Sequence, residues 1–147
     1  LLSHQIRVAS EFMLSQGWFT IFGPAVISSE QPTGGVCFAI RQGLDVGISA
    51  VEVLPPATIR HRVVAVRVEV DGVLPHVLLS GYLQPKAGMT GVNAEVLAYA
   101  AVLQDHYKLP ILLGGDMNQA PSSVKKTDYL FRSGTVICAP QSGTCLT

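Results

Sequence analysis

The run Ile111-Leu112-Leu113-Gly114-Gly115-Asp116-Met117-Asn118 holds the residues best suited to chemistry in this chain. Three aliphatics make a short dry strand. Two glycines let the backbone turn sharply at its end and leave room beside it. Asp116 and Asn118 are two positions apart, so in extended geometry both side chains project to the same side. A carboxylate and an amide aimed together at a sheet rim suit a hydrated Mg²⁺ and a phosphate. The carboxylate binds the hard cation or takes a proton from water, and the amide donates to an oxygen that gains charge. Asp and Asn are also common turn residues, so the same run also reads as a capped turn.

Other catalytic patterns are missing. A Walker B strand also ends aliphatics in Asp, but it needs a G-x-x-x-x-G-K-[ST] loop, and the sequence has none. Gly34-Gly35 precedes apolar Val36 and opens no helix, as a dinucleotide fingerprint must. G-x-S-x-G and H-E-x-x-H are absent. His4, His61, His76 and His106 are scattered, with no ligand pair four apart, and read as surface or edge histidines. Cys37, Cys138 and Cys145 form no C-x-x-C pair, which argues against a zinc site or a disulfide framework. They read as reduced intracellular thiols, with Cys37 expected as a small buried hydrophobe in its apolar run.

Two helices and several strands must position the glycine-aspartate run. Leu2, Ile6, Ala9 and Met13 share one face of a helix to about Gln16, which Gly17 stops. Trp18 to Phe22 reads as a strand, Ser28 to Gly35 as a loop and Val36 to Arg41 as a buried strand. Ile48 to Leu54 predicts a strand stopped by Pro55-Pro56. Arg62 to Val70 is the clearest strand, with Val64, Val66, Val68 and Val70 on one face and Arg67 and Glu69 on the other. Asp71-Gly72 signals a hairpin, and the return strand runs from about His76 to Leu83. Val92, Val96, Tyr99, Ala100 and Leu103 mark a second helix to Tyr107, with Thr90 as its cap and Pro110 barring its continuation. A short helix around Thr127 to Phe131 and a strand from Val136 to Ala139 complete the expectation. Val64, Val66, Val68, Ile111, Leu112 and Leu113 are expected to be buried together.

The 147 residues allow one domain, 1–147, with 48% apolar and only 14% charged residues, against roughly 25% charged in an average soluble domain. That composition excludes a disordered chain. No apolar run approaches the ~18 residues of a membrane span. Ten Lys+Arg balance ten Asp+Glu, which gives no support to a strong nonspecific nucleic-acid binder but leaves room for a nuclease that binds locally. Hairpin-connected strands mixed with two long helices argue for α+β, with helices packed on sheet faces.

These motifs in this order resemble the endonuclease/exonuclease/phosphatase superfamily, the DNase-I-like fold. Gly114-Gly115-Asp116-Met117-Asn118 is similar to the family's G-D-[FM]-N. Thr33-Gly34-Gly35-Val36-Cys37-Phe38-Ala39-Ile40-Arg41 resembles its G-G-V-A-I-L strand, and Ser80-Gly81-Tyr82-Leu83-Gln84-Pro85 its strand ending N-x-Y-x-P. The resemblance implies an α/β sandwich of four layers, with mixed and antiparallel sheets inside and helices outside. It implies a phosphoesterase that uses Mg²⁺, or Mn²⁺, on a phosphate ester, with DNA or RNA among the candidate substrates. Asp116 would orient or deprotonate the attacking water, Asn118 would stabilise the phosphate, and Tyr82 would hydrogen-bond a phosphate oxygen. Asp116 and Asn118 are the metal-side candidates. The family's early Asn, its metal-binding Glu and its S-D-H motif have no counterparts here, and two residues rather than one separate Tyr82 from Pro85. The chain therefore reads as the central part of such a domain, expected to be inactive alone. A non-catalytic binding module that keeps the fold is the competing reading.

Overall fold

The computed structural model describes residues 2–28, 31–124, 136 and 138. The first unit is a helix laid on a two-stranded sheet. Helix α1 (Ser3–Ser15) packs on β1 (Trp18–Gly23), and the predicted face of Ile6, Ala9 and Met13 is half-buried there. β1 pairs antiparallel with β4 (Val36–Arg41), and a small hairpin of β2 (Val26–Ser28) and β3 (Gln31–Thr33) lies between them in sequence.

The second unit is a four-stranded sheet in the order β5-β6-β7-β8, made of β5 (Val46–Ala50), β6 (Val63–Val70), β7 (Val73–Tyr82) and β8 (Ile111–Asp116). The first three are antiparallel, and Gly72 at φ 76 takes the tight turn between β6 and β7. β8 is parallel to β7, because helix α2 (Gly91–Tyr107) carries the chain back between them. A last short helix, α3, spans Pro121–Val124.

Strand alternation assigns the layers. Val77 and Leu79 of β7 and Val63 of β6 face α2, where they are buried with Val96, Tyr99, Ala100 and Leu103. Ile111 and Leu113 of β8 pack against that cluster. Val64 and Val66 point the other way and share a groove with Phe19 and Ile21 of β1. Thr20, between those two, meets Ser10 of α1 on the outer side. The layers run α1, β1–β4, β5–β8, α2: an α+β sandwich of four layers with mixed and antiparallel sheets, as expected. Among the described residues, no helix is long and apolar enough to cross a membrane.

Several expectations need correction. Part of the Ser28–Gly35 loop is the β2–β3 hairpin, registered Val26 to Thr33 and Ser28 to Gln31. The strand expected to reach Leu54 ends at Ala50. Beyond it, α2 tyrosines replace a strand partner: Glu52 N–H donates to Tyr107 Oη (2.6 Å), and Tyr99 Oη–H donates to the Val53 carbonyl (2.6 Å). Burial, and then the neighbouring Tyr107, pushes the Tyr99 phenol up to about 12, which keeps it a donor. β7 starts at Val73, three residues before the expected His76. Thr90 is the N-cap of α2, but its hydroxyl donates back to Ala87 O (3.0 Å) and makes no side-chain cap bond.

Two burial expectations also fail. Leu112 is 65% exposed, because it points away from α2 on a strand at the sheet edge that the narrow β1–β4 sheet does not cover. Val66 is buried, and Val64, Val68, Ile111 and Leu113 are half-buried. Cys37 is exposed, since on β4 it alternates with the inward Val36 and Phe38 while α1 lies over β1. The helix expected around 127–131 and the strand over 136–139 lie outside the described residues, except Val136 and Cys138, which carry no regular structure.

Candidate active site

The parallel register sets Tyr82 directly beside Asp116 at the ends of β7 and β8. Register partners project to the same face, here the one opposite α2. Leu83 N–H donates to the Asp116 carbonyl (3.0 Å), so the ladder runs to the last residue of β8. Close approach of the two strands depends on Gly115, whose φ is 138 and where an added Cβ would lie 1.9 Å from Gly81 O. Gly114 faces open space, so only one of the two glycines is sterically required.

Asn118 reaches the same rim by a different path from the one expected. Its φ of 44 is left-handed, so the segment after Asp116 turns rather than staying extended. Its Nδ2 donates to the Leu83 carbonyl (3.1 Å), tying the exit of β8 to the exit of β7. The carbonyl oxygen Oδ1 remains for other partners. The structure thus brings Tyr82, Asp116 and Asn118 together, with Asp116 and Asn118 exposed and Tyr82 half-buried.

Sequence reasoning missed Arg62. It precedes β6, and its backbone carbonyl accepts from Tyr82 N–H (2.8 Å). Its guanidinium lies over the Tyr82 ring at 5.4 Å from the centroid and is 5% exposed. Nη2 donates to Thr33 Oγ1 (3.3 Å) and Gln84 Oε1 (3.4 Å). Nε and Nη1 are buried without a hydrogen-bond partner, and no described carboxylate pairs with the charge. Arg67 also has an unpartnered Nε, but its charge is balanced by Glu69 at 2.6 Å. A buried cation without a counter-charge carries a desolvation cost of several kcal/mol. The available signal was an arginine heading a strand that is otherwise mostly apolar, beside His61. Burial first and Arg62 second lower the pKa of that histidine below 6.5.

Gln84 and Asn93 were missed as well. Asn93 is fully buried in the first turn of α2 and holds the Gln84 backbone from both sides. Gln119 Nε2 donates to the same Gln84 carbonyl (3.1 Å). Asn93 lies three residues before Val96 on the apolar stripe of α2, and a polar residue there was the sign to follow.

Among the described residues, no three His, Cys, Asp or Glu side chains form a metal cage. The rim offers one carboxylate and one amide oxygen. Mg²⁺ takes one or two carboxylates and completes its shell with water and substrate phosphate, so this donor set fits part of such a site.

No protein-family model matches the sequence, and no curated protein sequence matches it. Among solved structures, the chain is similar to a crystal structure of a humanized D. rerio TDP2 carrying 14 mutations, with a TM-score of 0.59 and 14% identity. The match covers 87% of this chain and 53% of that one. TDP2 has the DNase-I-like fold, and at this identity the likeness is one of fold. The chain spans about half the length of that structure, 53% of it.

Proposed function

We propose that the chain carries the phosphate-binding rim of a metal-dependent phosphoesterase, which hydrolyses a phosphodiester with activated water and takes nucleic acid among its substrates. One observation carries this reading: the buried Arg62 guanidinium, without a counter-charge among the described residues, stacks on Tyr82, the register partner of Asp116. A positive charge with no carboxylate partner among the described residues, in low dielectric behind a rim that bears a carboxylate, favours an anion at that rim. The DNase-I-like likeness and the Gly-Asp-Met-Asn run support the same reading.

In this scheme Asp116 orients the attacking water or takes its proton. Asn118, already held by Leu83, offers its remaining amide hydrogen to a phosphoryl oxygen. The Tyr82 hydroxyl donates to another, and the field of Arg62 offsets the charge that grows on the phosphoryl group. Asp116 and Asn118 Oδ1 are the groups that would hold Mg²⁺ or Mn²⁺. When bound there, the ion supplies Lewis-acid polarisation of a phosphoryl oxygen.

The test assays this chain and the longest natural protein that contains it, with Mg²⁺ or Mn²⁺, on plasmid DNA, RNA and a generic phosphodiester. The expected result is metal-dependent turnover by the longer protein, reduced about 10²–10⁴-fold by Asp116→Asn. If the longer protein binds neither metal nor phosphate and turns nothing over, the chain is a non-catalytic module and the proposal fails.

A further inference from the structure

Among the described residues, three hydrogen bonds join the exits of β7 and β8, two at Leu83 and one at Gln84, and Gln84 also ties this segment to α2 and to Arg62. Gln84 N–H donates to Asn93 Oδ1 (2.7 Å). Its carbonyl accepts from Asn93 Nδ2 (3.0 Å) and from Gln119 Nε2 (3.1 Å). Its side-chain oxygen accepts from Arg62 Nη2 (3.4 Å). Asn93 completes its own set by donating to Gly88 O (2.7 Å), so both amide hydrogens and the amide oxygen are engaged at zero exposure. A carboxamide satisfied on all sides in a dry interior is rigid, because any movement strands a buried polar group.

We infer that Asn93 is a positioning residue for the rim. From the first turn of α2 it fixes the Gln84 backbone. Gln84 in turn holds Nη2 of Arg62, while the anchored segment presents Leu83 O to Asn118. Asn93 touches none of the proposed reacting groups. It sets which nitrogen of the guanidinium is spent on the protein, and so which ones stay unpaired beneath Tyr82. Thr33 Oγ1 draws on the same Nη2 from the β2–β3 hairpin, so two anchors converge on one nitrogen and leave Nε and Nη1 unused. The inference rests on the phosphoesterase reading for its ligand alone; the positioning itself is a property of the free chain.

The experiment uses the ¹⁵N-labelled full chain and follows the Arg62 Nε–H and Asn118 Nδ2–H₂ signals by NMR, first alone and then with inorganic phosphate. Asn93→Ala is expected to displace both signals in the free chain and to weaken phosphate binding about tenfold. Leu103→Ala removes a buried side chain from the same helix and should lower the melting temperature at least as far while moving neither signal. If Asn93→Ala leaves both signals in place, or if Leu103→Ala moves them as much, the residue is merely structural and the inference is overturned. Gln84→Ala serves where Asn93→Ala does not fold. It removes only the acceptor on Arg62 and should move the Arg62 signal alone; an unmoved Arg62 signal also overturns the inference. Displaced signals in a chain whose wild type gives no saturable response to phosphate support the positioning role and count against the phosphoesterase reading.

Discussion

Arg62 and Asn93 are the buried polar side chains among the described residues, 5% and 0% exposed, and the fold treats them in opposite ways. Asn93 sits in the first turn of α2 with its amide oxygen and both amide hydrogens engaged. Arg62 sits at the rim with two nitrogens unpaired and, among the described residues, no carboxylate on its charge. Both side chains cost desolvation, and Asn93 recovers it in full among the described residues, while Arg62 recovers it only at Nη2 and over the Tyr82 ring. The contrast separates architecture from ligand recognition. A fully satisfied group holds elements together, while an unsatisfied one in a folded protein points to something that binds. The surroundings agree, since the α2 side of the sheet is a dry cluster of Val77, Leu79, Val96 and Leu103, whereas the rim is polar and open at Asp116 and Asn118.

The sharpest way to break that contrast is to exchange the two kinds of damage. Asp116→Asn should lower turnover of the longer protein about 10²–10⁴-fold and leave its melting temperature nearly unchanged. A large loss of stability would place Asp116 in the architecture instead. On the other side, Leu103→Ala, at zero exposure, should cost about 2–5 kcal/mol in urea unfolding. Leu112→Ala, at 65% exposure, should cost no more than about 0.5 kcal/mol. Equal costs would show that the β8 face is covered in solution.

Arg62→Met keeps an apolar stem against Tyr82 and removes the charge. Without phosphate it should stabilise the chain by about 1 kcal/mol, because the unpaired donors go with it. Destabilisation instead would mean that the bonds to Thr33 and Gln84 outweigh desolvation.

The smallest effect concerns His61. Its folded pKa lies below the ordinary 6.5, through burial first and Arg62 second. Below pH 6.5 the unfolded chain therefore binds more protons than the folded one, and stability falls as pH drops through that window. Unfolding at about pH 7.5 and about pH 5.5 should show the fall, and His61→Gln should flatten it.

What the sequence revealed was what is written locally. The period of Val92, Val96, Tyr99, Ala100 and Leu103 predicted α2, and the alternation from Val64 to Val70 predicted β6 with its faces correctly assigned. Asp116, Asn118 and Tyr82 stood out because glycine, carboxylate and amide occur together at the end of an apolar run and beside a strand motif. Properties that depend on neighbours were hidden. Leu112 looks like core until the sheet edge is known, and Cys37 until β4 is seen beyond the cover of α1. β2 and β3 are too short for periodicity and exist only through their mutual register. Arg62 and Asn93 are ordinary letters whose meaning lies in the partners they find, or fail to find, many positions away.

The central claim is that Arg62 is an anion-seeking charge behind the Tyr82–Asp116 rim. The most direct test is thermal melting of the wild-type chain and Arg62→Met, with inorganic phosphate and with chloride at equal ionic strength. The account predicts a crossing: the variant melts higher in chloride, while phosphate raises the wild type and not the variant, as expected of a ligand that binds only the folded, charged rim. An identical response of both proteins to phosphate, with the wild type the more stable in chloride, would contradict it.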